Sequence, residues 1–194
     1  MKMQQNRRTA LKQLTAAGLG LVLSGKVSTA LAQTSVKPAF GSRATLANSV
    51  WFNGALFSVL ADKKTTGGSY ALMDVRVRQG FEAPPHVHNG EDEIFFIQEG
   101  EVTFTSGSVV TEAKPGDHVF QPRGVPHSFK LKTPTARMLV TFTPGGLEEA
   151  YRRVGVPAER LDLPAPPASP PTAEQLAAVA KVFGEYGFVL LPRS

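Results

Sequence analysis

The pattern between Val50 and Thr143 constrains the fold more than any other feature of this chain. Short apolar or alternating runs follow one another there, separated by clusters of Gly, Pro, Asn and Asp, without the period of a helix. Runs of this kind predict strands at 50–60, 69–77, 93–98, 102–105, 109–112, 118–121, 127–132 and 137–143. About eight short strands at this spacing predict an all-β fold, an antiparallel sandwich or barrel over residues 50–143.

The chain beyond these strands predicts a helical C-terminal extension, 144–194. Residues 147–154 have an amphipathic pattern, whereas the proline-rich run 164–171 is incompatible with regular helix or sheet and predicts an extended linker. Thr172 and Gln175 have the spacing of a capping box, which predicts the start of a second helix. We interpret this extension as a lid on the barrel rather than a second domain.

Residues 1–32 have the layout of a bacterial export signal. The pair Arg7-Arg8 is followed by an apolar stretch and by small residues that end in an A-x-A pattern at 30–32. The adjacent arginines are typical of the twin-arginine (Tat) class, with an ordinary Sec signal as the alternative. We therefore expect a signal peptide (1–32), an N-terminal arm (33–49) and a periplasmic or secreted protein without a membrane anchor after cleavage.

Charge and cysteine content exclude several classes of function. The formal net charge is +5, but residues 1–32 hold five basic residues and no acidic one, so the rest of the chain is formally neutral. This removes the charge argument for a nucleic-acid partner. The absence of cysteine excludes disulfides, cysteine-ligated zinc, iron–sulfur clusters and a thiol nucleophile.

All four histidines lie in two glycine-bracketed segments, 80–100 and 116–127, and three of them, His86, His88 and His127, are candidate ligands. Residues two apart in an extended chain point to the same side, so His86 and His88 are expected to project together. If the strands that begin near Glu93 and at His127 turn the same faces inward, three imidazoles and one carboxylate meet in an apolar interior.

A shared cation would stabilise such a group. Burying several ionisable groups without partners costs several kcal/mol each, whereas one divalent cation satisfies all four. Three imidazole nitrogens and one carboxylate suit Fe, Mn, Ni, Cu or Zn, and suit Ca or Mg poorly. The predicted cofactor is therefore one divalent transition metal.

The two segments resemble the signature motifs of the cupin superfamily. Residues 80–100 match G-x5-H-x-H-x4-E-x6-G at every specified position, and 116–131 match G-x5-P-x-G-x2-H-x3-N except that Leu131 stands in place of Asn. The resemblance implies a cupin-type β-barrel or jelly roll, most similar to single-domain quercetin-dioxygenase-like members. It also implies these metal ligands: His86, His88, Glu93 and His127.

Other polar residues near the motifs leave alternatives open. Glu91 has the same strand parity as Glu93 and is an alternative ligand. His118 lies off the ligand positions and is expected at the surface. Arg123 is expected in a turn, with binding of an anionic substrate as the alternative.

Three apolar residues are predicted to contact substrate. Met73, Phe95 and Phe129 share the inward parity and are expected to line a substrate cavity, with an ordinary place in the barrel core as the alternative.

The function that the resemblance implies is that of a metal-dependent, quercetinase-like dioxygenase acting on a small aromatic or enolic substrate with O₂. Glu93 would be the ligand that also acts as general base. The alternatives are a non-catalytic metal-bearing binding protein and a non-redox sugar or keto-acid isomerase. A homodimer is a further expectation, with an edge strand near residues 40–57 pairing between chains.

Overall fold

The computed structural model describes residues 37–192. The predicted signal peptide, 1–32, and the start of the arm lie outside the described residues. Within the described range no helix has both the length and the apolar character needed to cross a membrane.

Strands are the main regular structure of the described chain. A short 3₁₀ helix, Leu46–Asn48, precedes them. The strands are β1 Ser49–Phe52, β2 Ala55–Ala61, β3 Ala71–Arg78, β4 His86–His88, β5 Asp92–Glu99, β6 Val102–Ser106, β7 Val109–Ala113, β8 His118–Gln121, β9 His127–Leu131, β10 Thr135–Thr143, β11 Val156–Pro157 and β12 Phe188–Leu190. The helices are α1 Lys63–Thr66, α2 Glu148–Val154 and α3 Ala173–Gly184.

Two antiparallel sheets form the fold. The first has the order β11-β1-β2-β3-β10-β5-β8, and the second has the order β12-β4-β9-β6-β7. Their inward faces share one apolar core, in which Met73 and Met138 of the first sheet and Phe104 of the second are almost fully buried. The predicted all-β barrel or jelly roll with a C-terminal helical extension is confirmed.

The prediction of one strand over 50–60 is wrong, because the chain makes a hairpin there. Asn53 and Gly54 connect β1 to β2 with φ of 47° and 72°. Two successive positive φ values are the geometry of a tight hairpin turn, and Asn-Gly is the dipeptide that adopts it most readily. The turn folds one apolar run into two paired strands.

The expectation of a free sheet edge within 40–57 is also wrong. β1 pairs with β2 on one side and with β11 on the other, through Val50↔Pro157 and Trp51↔Val156. The hydrogen-bonding groups of β1 are therefore partly taken up by the chain that follows α2. Dimerisation itself stays a prediction.

The C-terminal extension is joined to the barrel by a strand as well as by helices. The capping box at the start of α3 is present, with the Thr172 side chain accepting from the Gln175 backbone N–H. After α3 the chain turns at Gly187 and adds β12 to the edge of the second sheet, where it pairs with β4. The end of the chain therefore contacts the strand that carries two of the predicted ligands.

Candidate metal centre

The structure brings the four predicted ligands together. His86 and His88 lie on β4, His127 on β9 and Glu93 on β5, and each is buried, with exposures of 1–6%. One potential ligand atom from each of them lies within 4.8 Å of the others.

Strand alternation and register explain this convergence. On β4, His86 and His88 face inward while Val87 between them is half-buried, as the two-residue period requires. His86 pairs directly with His127 on β9. Glu93 enters from the other sheet, where Glu93, Phe95 and Ile97 are buried and Phe96 is exposed. The cluster therefore lies between the two sheets and links them.

The three imidazoles are oriented through their outer nitrogens. His86 Nδ1 donates to the carbonyl of Pro84 at 2.7 Å, and His127 Nδ1 donates to the carbonyl of Val125 at 2.9 Å. A carbonyl only accepts, so Nδ1 holds a proton in both rings, and Nε2 is the nitrogen left for a metal. Such outer hydrogen bonds hold metal-ligating histidines in many proteins.

His88 is held by a carboxylate instead. Its Nδ1 lies 3.2 Å from Oε1 of Glu91, which is itself buried. The alternative that Glu91 is a ligand is wrong, because it reaches the outer nitrogen of His88 and is not one of the clustered residues. Sequence parity could not reveal this, since Glu91 precedes β5 and strand alternation does not apply to it.

The inner side of the cluster lacks enough hydrogen-bond partners. His127 Nε2 lies 3.3 Å from Glu93 Oε2. His88 Nε2 is 3.4 Å from the same oxygen but without hydrogen-bond geometry, and it is buried with no partner. Leaving a buried polar atom unpaired costs about 1–3 kcal/mol. A cation between these atoms would remove that cost, so the residues present fit a divalent metal.

Burial and neighbouring charges shift the pKa values of three clustered residues. Burial raises the pKa of Glu93, but the hydrogen bond with His127 and the nearby charge of His88 outweigh it and lower that pKa to about 2. Burial lowers the pKa of His86 to about 4, which leaves this imidazole neutral. Burial also lowers the pKa of His88, but the carboxylates of Glu91 and Glu93 raise it to about 9.

Neither Arg123 nor His118 is one of the clustered residues. The Arg123 guanidinium donates to both carboxylate oxygens of Asp92 and to the carbonyls of Gly90 and Thr143. It therefore holds the loop before β5, and its occupied donors do not favour the anion-binding alternative. His118 is exposed on β8, as expected.

The three residues predicted to contact substrate lie in or against the apolar core. Met73 and Phe95 are 0% and 3% exposed, and Phe129 is partly buried against them. The rings of Phe95 and Phe129 are 5.8 Å apart and make an edge contact. Their role in substrate binding stays a prediction.

Sequence reasoning missed an aromatic wall supplied by the C-terminal strand. The ring of Phe188 on β12 stacks on the imidazole of His86, with centroids 4.4 Å apart and planes at 20°. It also meets His88 edge-on at 5.2 Å. No local signal indicates that residues 188–190 pair with β4, because the pairing joins segments about a hundred residues apart.

Comparison with known proteins identifies relatives of the barrel. The family model described as "Cupin domain" matches residues 73–148. An uncharacterized protein of Streptomyces coelicolor is 32% identical over 92 residues, which cover 47% of this chain and 82% of that protein. A quercetin 2,3-dioxygenase of Bacillus subtilis is 27% identical over 112 residues, which cover 58% of this chain. The chain spans only 33% of the length of that dioxygenase.

Among solved structures, an RmlC-like cupin from Shewanella frigidimarina is similar to this chain at 18% sequence identity. The match covers 57% of this chain and 96% of that one, with a TM-score of 0.47.

Proposed function

The chain belongs to the cupin superfamily, and we propose that it is a metal-dependent, quercetinase-like dioxygenase acting on a small aromatic or enolic substrate. One observation carries the proposal: three imidazoles and one carboxylate converge in a buried site where His88 Nε2 has no partner. The distant similarity to a quercetin 2,3-dioxygenase supports the class of reaction.

The four clustered side chains would hold the metal. Three nitrogen donors and one oxygen donor suit Fe, Mn, Ni, Cu or Zn. A bound transition metal would supply Lewis acidity toward a substrate oxygen and, for a redox-active ion, reactivity toward O₂.

Glu93 is the residue that we assign to proton transfer. Its carboxylate is anionic over the whole physiological range, since its pKa is lowered to about 2. A phenolic or enolic hydroxyl made more acidic by a bound cation would give its proton to this carboxylate. The apolar core around Phe95 and Phe142 limits competing water.

A non-catalytic metal-bearing binding protein is the second candidate, since the same buried site would hold an ion and a ligand without turnover. A sugar or keto-acid isomerase receives less support. Such chemistry needs acid and base groups around a polar cavity, whereas the described core beside the cluster is mostly apolar.

Oxygen uptake by the metal-loaded protein tests the proposal. Wild-type protein loaded in turn with Fe, Mn, Ni, Cu and Zn would be given quercetin or catechol, with dissolved O₂ and products followed together. We expect uptake by wild type, loss of uptake in His127→Ala, and unchanged uptake in His118→Ala, which removes the exposed histidine. Ligand binding without uptake by any metal form would favour the binding protein instead.

We also propose that the protein is exported by the twin-arginine route and works in the periplasm or outside the cell. The support is the Arg7-Arg8 pair with the apolar stretch and A-x-A pattern behind it. Replacing both arginines by lysine should retain the protein in the cytoplasm, whereas an unchanged periplasmic fraction would indicate Sec export.

A further inference from the structure

Gln121 is the second buried polar group without a partner. The residue is 1% exposed, and no atom of the described chain hydrogen-bonds to its side-chain oxygen. Buried side-chain amides in native proteins are almost always paired, and an exception requires an explanation. Gln121 is not one of the predicted metal ligands, so the proposed metal centre does not explain why its amide is unpaired.

The register of the first sheet places Gln121 beside the metal centre. On β8 the outward residues His118 and Phe120 are exposed, while Val119 and Gln121 are buried. Gln121 is the cross-strand partner of Glu93. Directly opposed residues of an antiparallel pair point to the same face, with Cβ atoms about 5 Å apart. The amide and the Glu93 carboxylate are therefore neighbours on the inner face.

A groove leads to this position from outside. It has a volume of about 310 Å³, and its lining includes Gln121, Phe104, Ser106 and Val125. None of the four clustered residues lines the groove. Two of its lining residues are cross-strand partners of clustered residues, Ser106 of His127 and Gln121 of Glu93. This volume is near the lower limit of small-molecule sites, about 300 Å³, which suits a substrate of one or two rings.

We propose that Gln121 is a substrate-positioning residue that selects substrates with two neighbouring oxygens on one ring. One oxygen lies at the histidine cluster, and the other hydrogen-bonds to the Gln121 amide. Because Gln121 and Glu93 are direct cross-strand partners, the two oxygens would lie close together, as in a catechol or a hydroxy-ketone. An amide both donates and accepts, so it takes a hydroxyl or a carbonyl. The inference rests on the proposed function.

Direct binding to the zinc-loaded protein without O₂ tests this inference. Calorimetric titrations with catechol and with phenol would compare wild type with Gln121→Leu and with Gln121→Met, which preserves the side-chain length. His118→Leu on the same strand is the matched control. Zinc content and thermal unfolding of every variant would be measured in parallel, because neither should fall when a residue that is not a ligand is replaced.

We expect both Gln121 variants to bind catechol about tenfold more weakly than wild type, the usual effect of losing one buried hydrogen bond. Phenol should bind within about twofold of wild type, because it has no second oxygen. Equal catechol affinity in folded, zinc-loaded variants would overturn the assignment, and so would a wild-type protein that binds neither probe.

Oxygen uptake tests the proposed function separately. Binding that depends on Gln121 but is not followed by oxygen uptake would contradict the dioxygenase and leave the positioning role of Gln121 intact.

Discussion

The carboxylate of Glu91 offers a sensitive test of how the metal centre is built. Glu91 is 6% exposed and holds the outer nitrogen of His88 at 3.2 Å. The substitution Glu91→Gln retains the size of the side chain but removes the charge. We expect it to weaken metal binding without removing a ligand.

The expected loss of metal affinity follows from what the Glu91 carboxylate does to His88. The Glu91 carboxylate orients the His88 ring and makes it a stronger electron donor. Loss of such an outer partner lowers metal affinity about 10- to 100-fold. Tenfold corresponds to about 1.4 kcal/mol, so the expected loss is about 1.4–2.7 kcal/mol. His88→Ala, which removes a ligand outright, should cost more than Glu91→Gln.

Competition for zinc against a chromophoric chelator would measure these affinities. Glu101→Gln is the matched control, because Glu101 is exposed and its side chain makes no hydrogen bond within residues 37–192. The expected order of affinity is wild type equal to Glu101→Gln, then Glu91→Gln, then His88→Ala. Wild-type affinity in Glu91→Gln would refute the reasoning, because the orientation of His88 would then not depend on this carboxylate.

Three further predictions concern the free energy of unfolding, measured by urea denaturation. Phe188→Ala should cost about 3 kcal/mol because it removes the buried ring that stacks on His86. The control Val189→Ala replaces an exposed residue of the same strand and should change the free energy of unfolding by no more than about 0.5 kcal/mol. Equal costs would contradict the packing of β12. Gly54→Ala should cost more than about 1 kcal/mol, since Gly54 has φ of 72° and an added Cβ would lie 2.7 Å from the Phe81 ring; a neutral result would contradict this turn. Burial raises the pKa of Asp62, but hydrogen bonds from Thr65 and Arg152 outweigh it and hold that pKa below 3.8. The ionised Asp62 therefore stabilises the fold above pH 3.8, and this stabilisation is lost as the pH falls through the lowered pKa. Asp62→Asn should destabilise the protein at pH 7 and have no effect in acid, and a cost independent of pH would argue against the charged pair.

Much of the barrel could be predicted because its information is local. Alternation along β5 and β9 correctly predicts that Glu93 and His127 lie on the inward faces of their strands. The spacing within each motif then places the four clustered side chains. The hairpin at Asn53-Gly54 also had a local signal, the dipeptide itself, which a continuous apolar run obscured.

The remaining features depend on contacts between distant segments. Phe188 reaches His86 only because β12 pairs with β4, and β11 covers β1 only because the chain returns after α2. Gln121 lies beside Glu93 through the register of β5 with β8. Sequence periodicity identifies an inward face but carries no information about which strands are neighbours, so these residues could not be assigned to the site in advance.

The metal content of the protein as isolated from its native host tests the central claim most directly. Elemental analysis should find one transition-metal ion per chain in the wild type and in His118→Ala, and little or none in His86→Ala. Wild-type protein that is folded but free of metal, or a His86→Ala variant with the full wild-type content, would contradict the assignment of the buried cluster as a metal centre.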